Sequence, residues 1–435
     1  MDVAIPQPPA DQATEKAPMD ALVIQGGRRL SGRVAISGAK NAALPVMAAT
    51  LLAPGIHKLR NVPDLLDTRT FSRVLEKLGA RVTFKGDLCT IDSSGVDSVE
   101  APYELVKTMR ASIYVLGPLL ARMGGAKVSL PGGCAWGPRP VDLHLKGLAA
   151  MGANLDIEHG YIVGRDVKLR GTNFTFDVVS VGATAQLMMA ATIAEGTTVL
   201  DNVAIEPDIT VLGEVLNQCG ARIEGLHTRR LVIHGVKTLR PIDTTIIPDR
   251  IEAGTFAAAA AITGGCITLE RVIPEHFEAC LRSLEESGAE VVREHDEVTV
   301  TGRGRPHATD VTTAVYPGFP TDMQAQMMAV AAIANGTSVI EDTIYLDRFS
   351  HVPELVRLGA KIELKANVAV VRGVERLSGA PVMAKDLRAS AALALGALVA
   401  EGETIISRIY HLDRGYEHFD AKLTQLGANV KRVQQ

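Results

Sequence analysis

The chain has 435 residues, 47% of them apolar and 22% charged, which is the balance of a folded globular protein and excludes a disordered or fibrous one. A single hydrophobic core stops growing at roughly 250 to 300 residues, so two domains are expected. The formal net charge of −4 points to no nucleic-acid partner, and any anionic ligand has to be held by a local basic cluster.

Residues 1–18 contain four prolines and no basic stretch followed by an apolar one, so they do not read as a secretory signal. They are expected to form a floppy extension, with Met19 near the start of structure. The longest apolar stretches, Phe256–Ile262 and Ala391–Ala400, are Ala-rich and far short of the roughly 20 residues that span a bilayer. The expectation is a cytoplasmic protein with no membrane partner. Cys89, Cys134, Cys219, Cys266 and Cys280 are odd in number, scattered and without CxxC spacing, which suits a reducing compartment and implies neither a disulfide framework nor a metal site. No cofactor is implied.

Along the chain, Ile36–Pro45 (ISGAKNAALP) sets Lys40 and Asn41 beside Gly38, in a turn that feeds a helix. A Lys at a helix start is by itself more often a solvated charge than a ligand-binding group. An amphipathic stretch with Val74, Leu75 and Leu78 on one face follows, ends at Gly79-Ala80 and leads into the β-rich run Arg81–Phe84. That Gly-Ala pair recurs at 152–153, 220–221, 288–289, 359–360 and 427–428, making six copies about 70 residues apart. In phase with it, 52–55, 194–197, 263–265, 334–337 and 400–403 each join an Ala-rich helix to a strand. Each unit therefore reads strand, helix, strand, helix, strand. Ala391–Ala400 is hydrophobic all round and must be buried, which places helices inside and sheets outside, with three units per domain.

Between these elements lie the segments that carry chemistry. Leu130–His144 (LPGGCAWGPRPVDLH) sets Cys134 in a Gly- and Pro-rich loop, whereas a structural Cys normally sits buried inside an element. Phe319–Gln326 and Ala384–Ser390 each place an acid, Asp322 and Asp386, just ahead of an Ala-rich helix, where N-capping is the plain alternative. Ile409–Glu417 is a polar cluster with Arg414 in a turn.

Together, and in this order, these segments resemble the enolpyruvyl transferases from Met19 onward, in the branch that acts on a UDP-amino sugar. The resemblance implies an α/β fold, a two-domain inside-out α/β barrel of six repeated units. Its domains would be 40–247 and 19–39 plus 248–435, with the strand around Val23–Ile36 crossing to the C-terminal half. It implies transfer of the enolpyruvyl group of phosphoenolpyruvate to the 3-hydroxyl of UDP-N-acetylglucosamine, the first committed step of peptidoglycan precursor synthesis and the target of fosfomycin. Cys134 would then donate the proton, Asp322 would accept that of the sugar hydroxyl, and Lys40, Arg139 and Arg414 would clamp phosphoenolpyruvate. Asn41, Arg110, Arg139, Pro140, Val141, Asp142, Leu143, Ser180, Val181, Gly182, Asp322 and Ile344 would hold the UDP-sugar, with Arg348, Asp386 and Arg388 as supporting charges.

The chain departs from that family at Val178, where a Lys is usual, and at Tyr114, where a Trp is frequent; its single Trp is Trp136, in the loop. The shikimate-pathway sibling lacks the loop cysteine, so Cys134 argues against it. A silent binding scaffold would have no use for Cys134, Asp322 and Arg414 together.

Overall fold

Six times the chain repeats Leu-x-x-x-Gly-Ala, and in the computed structural model, which describes residues 20–107, 109–130 and 141–434, each copy closes a helix in the same way. Gly79, Gly152, Gly220, Gly288, Gly359 and Gly427 take φ between 93° and 105°, a left-handed conformation that a Cβ would crowd. The N–H of the following Ala then donates to the carbonyl of the repeated Leu, as from Ala80 to Leu75 and from Ala428 to Leu423, both at 3.0 Å. This satisfies an otherwise orphaned helix carbonyl and turns the chain straight into a strand.

Each unit builds one four-stranded sheet. In the unit that starts at Asn173, strand Asn173–Thr175 is followed by the buried helix Val181–Ala191 and strand Thr197–Asp201. The amphipathic helix Pro207–Gln218 and the strands Arg222–Glu224 and Arg230–His234 complete it. The first two strands pair in parallel, Asn173 opposite Val199, and the others pair antiparallel. The unit thus has one strand more than the sequence pattern suggests. Its last two strands form a hairpin that can be as tight as Lys361–Lys365 and Val368–Arg372, joined by two residues, and such a pair reads as one β-rich run.

Three sheets borrow a strand from a distant part of the chain. Asp20–Gln25 lies between Glu403–Ser407 and Asn429–Gln434, while Ser31–Ala35 pairs in parallel with Cys266–Glu270. The expected single strand over Val23–Ile36 is therefore two strands in two sheets. The break falls at Gly26-Gly27, where Gly27 has φ 89° and a Cβ on Gly26 would stand 2.2 Å from the Ala400 carbonyl oxygen. In the other half, Asp243–Thr245 returns to pair with Lys58–Arg60.

The Ala-rich helices fill the interior. Arg388 to Leu398 and Ile251 to Ile262 are buried without interruption, and the helices Arg250–Thr263, Gln324–Ala332 and Leu387–Val399 pack against one another. Small side chains allow this close approach, and removal of apolar surface from water supplies the drive. One apolar core draws on Leu22–Ile36 and Ile251–Val430, the other on Ala39–Ile246. The chain passes between them at 36–39 and 247–250, where the two passages bond to each other: Ala39 N donates to Ile247 O at 2.7 Å, and Asp249 N to Ser37 O at 2.8 Å. Among the described residues no helix is long and apolar enough to cross a membrane.

Gly38 marks the tightest point of this double passage, since a Cβ there would lie 1.8 Å from the Asn61 carbonyl oxygen. Gly38→Ala should destabilise the protein by about 1–3 kcal/mol, the usual cost of overpacking against a fixed backbone. Calorimetry should show melting several degrees below wild type; a change within one degree would mean that the passage yields freely.

Candidate active site

The seam between the two halves gathers charge that neither core can hold. Asp322 lies in a short 3-10 turn, Thr321–Met323, just before the Gln324–Ala332 helix. Its carboxylate is shared: Arg348 Nη1 lies 2.6 Å from Oδ1, and Arg388 Nη2 lies 2.9 Å from Oδ2. Burial opposes the charged form, but the guanidiniums of Arg388 and Arg348 outweigh it and hold Asp322 well below the usual carboxylate range. Arg388 is itself buried, stands over the Tyr416 ring at 5.4 Å, and owes its second-residue position in the Leu387–Val399 helix to an Asp386 cap. Asp386 Oδ1 accepts from the N–H groups of Arg388 and Ala389 at 2.8 and 3.0 Å, and Oδ2 accepts from Ser350 Oγ at 3.0 Å. The capping alternative thus describes Asp386 but not Asp322.

Lys40 is the first residue of the Lys40–Ala49 helix and is buried, not solvated. Its ammonium lies 3.3 Å from Asp67 Oδ2, while Arg414 Nε donates to Asp67 Oδ1 at 2.8 Å. Burial depresses the Lys40 pKa; Asp67 and Asp322 act against that, and Arg388 and Arg414 reinforce it. The structure thereby brings Lys40 from one half together with Asp322, Arg388 and Arg414 from the other.

A second group lies within the half built on Ala39–Ile246. Ser180 caps the Val181–Ala191 helix by accepting from Ala183 N at 3.3 Å, leaving the first N–H groups of an eleven-residue helix beside Gly182. A Cβ on Gly182 would stand 3.1 Å from His144 Nε2, so this helix start abuts the Asp142–Ala150 helix, which Val141 precedes and on which Leu143 is buried. His144 is held neutral, its pKa lowered to about 4 by burial and by the Arg110 charge. Asp142 Oδ2 lies 3.7 Å from Lys146 Nζ, itself 3.6 Å from Asp177. Asn41 follows Lys40 half-buried, whereas Ile344 is exposed on a loop whose N–H groups at 344 and 345 donate to Asp342 Oδ1. Cys134, Trp136, Arg139 and Pro140 lie outside the described residues.

Sequence reasoning missed Asp67, Tyr416 and the pair Arg250–Asp208, 3.5 Å apart and almost wholly buried across the seam. Asp67 and Asp208 each sit in the first turn of an amphipathic helix, where an acid is ordinary, so no local signal separates them from dipole-balancing residues.

Comparison with known proteins shows the family and the fold. The family model for EPSP synthase (3-phosphoshikimate 1-carboxyvinyltransferase) matches residues 24–423. A relative from Geobacter metallireducens named UDP-N-acetylglucosamine 1-carboxyvinyltransferase is 55% identical over 96% of this chain and 100% of its own. One of the same name from Anaeromyxobacter sp. (strain K) is 55% identical over 95% and 100%. Among solved structures, the enolpyruvyl transferase NikO from Streptomyces tendae superposes with a TM-score of 0.86 at 28% identity, covering 96% of this chain and 100% of its own. EPSP synthase from Acinetobacter baumannii, at 16% identity and a TM-score of 0.74 over the same shares, matches in fold. The chain belongs to the enolpyruvyl transferase family, and the inside-out α/β arrangement expected from its repeats is the family's fold.

The folded protein binds the Asp322 proton less readily than the unfolded chain does. The carboxylate therefore adds stability above the unfolded value near 3.9, and that contribution is lost as pH falls through the lower folded value. Urea unfolding of wild type and Asp322→Asn should show a stability gap that is constant from about pH 5 to 7 and narrows below about pH 4. A gap independent of pH down to about 3 would mean that the Asp322 charge is not linked to folding.

Proposed function

We propose that this enolpyruvyl transferase moves the enolpyruvyl group of phosphoenolpyruvate to the 3-hydroxyl of UDP-N-acetylglucosamine and releases phosphate, the first committed step of peptidoglycan precursor synthesis in the cytoplasm. The observation that carries this reading is the convergence of Lys40, Arg388 and Arg414 on the seam that also holds Asp322, in a chain 55% identical to relatives named for that acceptor.

Phosphoenolpyruvate brings about three negative charges, each charge-assisted hydrogen bond contributes about 1.5–3 kcal/mol, and Lys40 and Arg414 supply donors from opposite halves. In this reading Cys134, on the sequence alone, gives a proton to the methylene carbon while the sugar 3-oxygen bonds to the adjacent carbon. The tetrahedral adduct then returns a proton from its new methyl group to the Cys134 thiolate and breaks its carbon–oxygen bond to phosphate, leaving the enol ether and free phosphate. Asp322 serves as acceptor for the hydroxyl proton. With two guanidiniums on it, Asp322 is a weak base toward a free hydroxyl, so it orients the hydroxyl and takes the proton only as the forming bond makes that oxygen acidic. Arg139 completes the clamp on the same sequence grounds. The N–H groups that open the Val181–Ala191 helix suit the diphosphate, with Arg110 nearby. Asn41, Val141, Asp142, Leu143 and Ile344 are assigned to the remainder of the UDP-sugar.

Phosphate release tests the reaction directly. Wild type should turn over with phosphoenolpyruvate and UDP-N-acetylglucosamine, and stay at background when shikimate 3-phosphate replaces the sugar; the opposite pattern would hand the chain to its shikimate-pathway sibling. Cys134→Ser should lose turnover and alkylation by fosfomycin, and Asp322→Asn should lower kcat by on the order of 10² to 10⁴ with substrate binding largely kept.

Val178 is 61% exposed, two residues before the Ser180 cap. Val178→Lys should place an ammonium beside the diphosphate and lower KM for the UDP-sugar several-fold. An unchanged KM would show that another cation already serves there.

A further inference from the structure

We propose that Asp67 is a positioning residue for enolpyruvyl transfer: its carboxylate ties the Lys40 ammonium of one half to the Arg414 guanidinium of the other, and so keeps Lys40 charged and the two cations at a set separation for phosphoenolpyruvate. The inference rests on the function proposed above and adds a residue which that reading does not contain.

An ordinary first-turn acid faces solvent or its own helix's N–H groups. Asp67, second residue of the Leu66–Lys77 helix, is instead 4% exposed, and its two oxygens meet cations from the two halves, Lys40 Nζ at 3.3 Å and Arg414 Nε at 2.8 Å. The turn that carries it is docked on the same opposing segment a second time. Glu417 Oε1 accepts from Asp64 N at 2.6 Å, and Oε2 accepts from Ser37 Oγ at 2.5 Å. The segment 414–417 is therefore held against residues 64–67 at both ends.

The charges around Lys40 explain why the tie matters to the reaction. Its ammonium is buried and faces Arg388 and Arg414, with Asp67 and Asp322 as counter-charges. Burial, Arg388 and Arg414 all favour the neutral amine, and Asp67 is the strongest charge opposing them. A neutral Lys40 would bind a trianionic substrate poorly.

Asp67→Asn keeps the shape and removes the charge. KM for phosphoenolpyruvate should rise about tenfold or more, a loss on the scale of one charge-assisted hydrogen bond, with KM for UDP-N-acetylglucosamine nearly unchanged. The alkaline limb of kcat/KM for phosphoenolpyruvate should move to lower pH, because Lys40 then loses its proton more easily, and Asp67→Glu should move it back. A purely structural role would lower the melting temperature and leave that limb in place. If Asp67→Asn does not fold, Lys40→Arg is the second variant: a side chain that stays charged should shift the alkaline limb upward, to the point where Cys134, the proton donor, loses its proton. Coincident limbs in wild type and Asp67→Asn, or an unmoved limb in Lys40→Arg, would overturn the proposal while leaving the function intact. A wild type that releases no phosphate would remove the function and this inference with it.

Discussion

Charge excluded from two helix-filled cores has to collect where the cores meet, and the chemistry of this protein follows from that exclusion. A buried ion persists only when it is paired and hydrogen-bonded, and the seam supplies such pairs: Asp322 between Arg348 and Arg388, Asp67 between Lys40 and Arg414, Asp208 against Arg250. Such pairs are poor evidence of net stability, since desolvation offsets much of the attraction. What they provide is orientation. Donors and acceptors fixed in place before a polyanionic substrate arrives need no reorganisation when charge develops on it.

The seam is in register because each half is made of the same unit. Six helices that stop on a left-handed glycine deliver six strands at equivalent positions, and the Ala-rich helices that open at Lys40, Arg250 and Leu387 begin at the seam and run into the core. The unit fixes which strand positions must be filled but not which stretch of chain fills them. Asp20–Gln25 therefore completes a sheet otherwise built from residues 381–434, and Asp243–Thr245 completes one built from 56–92. Each borrowed strand stays within its own half, and the crossings at 36–39 and 247–250, bonded to each other, join the halves.

Helix starts at the seam are put to several uses. Asp386, Asp249 and Ser180 cap their helices and thereby aim the residues that follow them. Ahead of the Gln324–Ala332 helix a 3-10 turn after Pro320 lifts Asp322 away from the backbone N–H groups, and its carboxylate turns to arginines instead. The same residue type at similar sequence positions thus becomes a structural cap in one unit and an arginine-held carboxylate in another.

The repeat, the glycine stops, the burial of the Ala-rich helices and the family resemblance were all legible in the sequence, because each is set by local backbone preference or by a hydrophobic period that tolerates little else. The segments with Lys40, Asp322 and Asp386 stood out for the same reason, as polar residues at starts of apolar helices, and that with Arg414 stood out as a polar cluster in a turn. The tertiary structure alone decided which strand completes which sheet, that Val23–Ile36 divides at Gly26-Gly27, and that five of the six units close with a hairpin. It alone decided the partners of the charges: nothing near Asp67 in the sequence distinguishes it from any first-turn acid, and its meaning comes from Arg414, 347 residues away. Backbone conformation and burial are written in neighbours and periods, whereas electrostatic pairing depends on distance in space, which becomes defined only once the two cores have closed on each other.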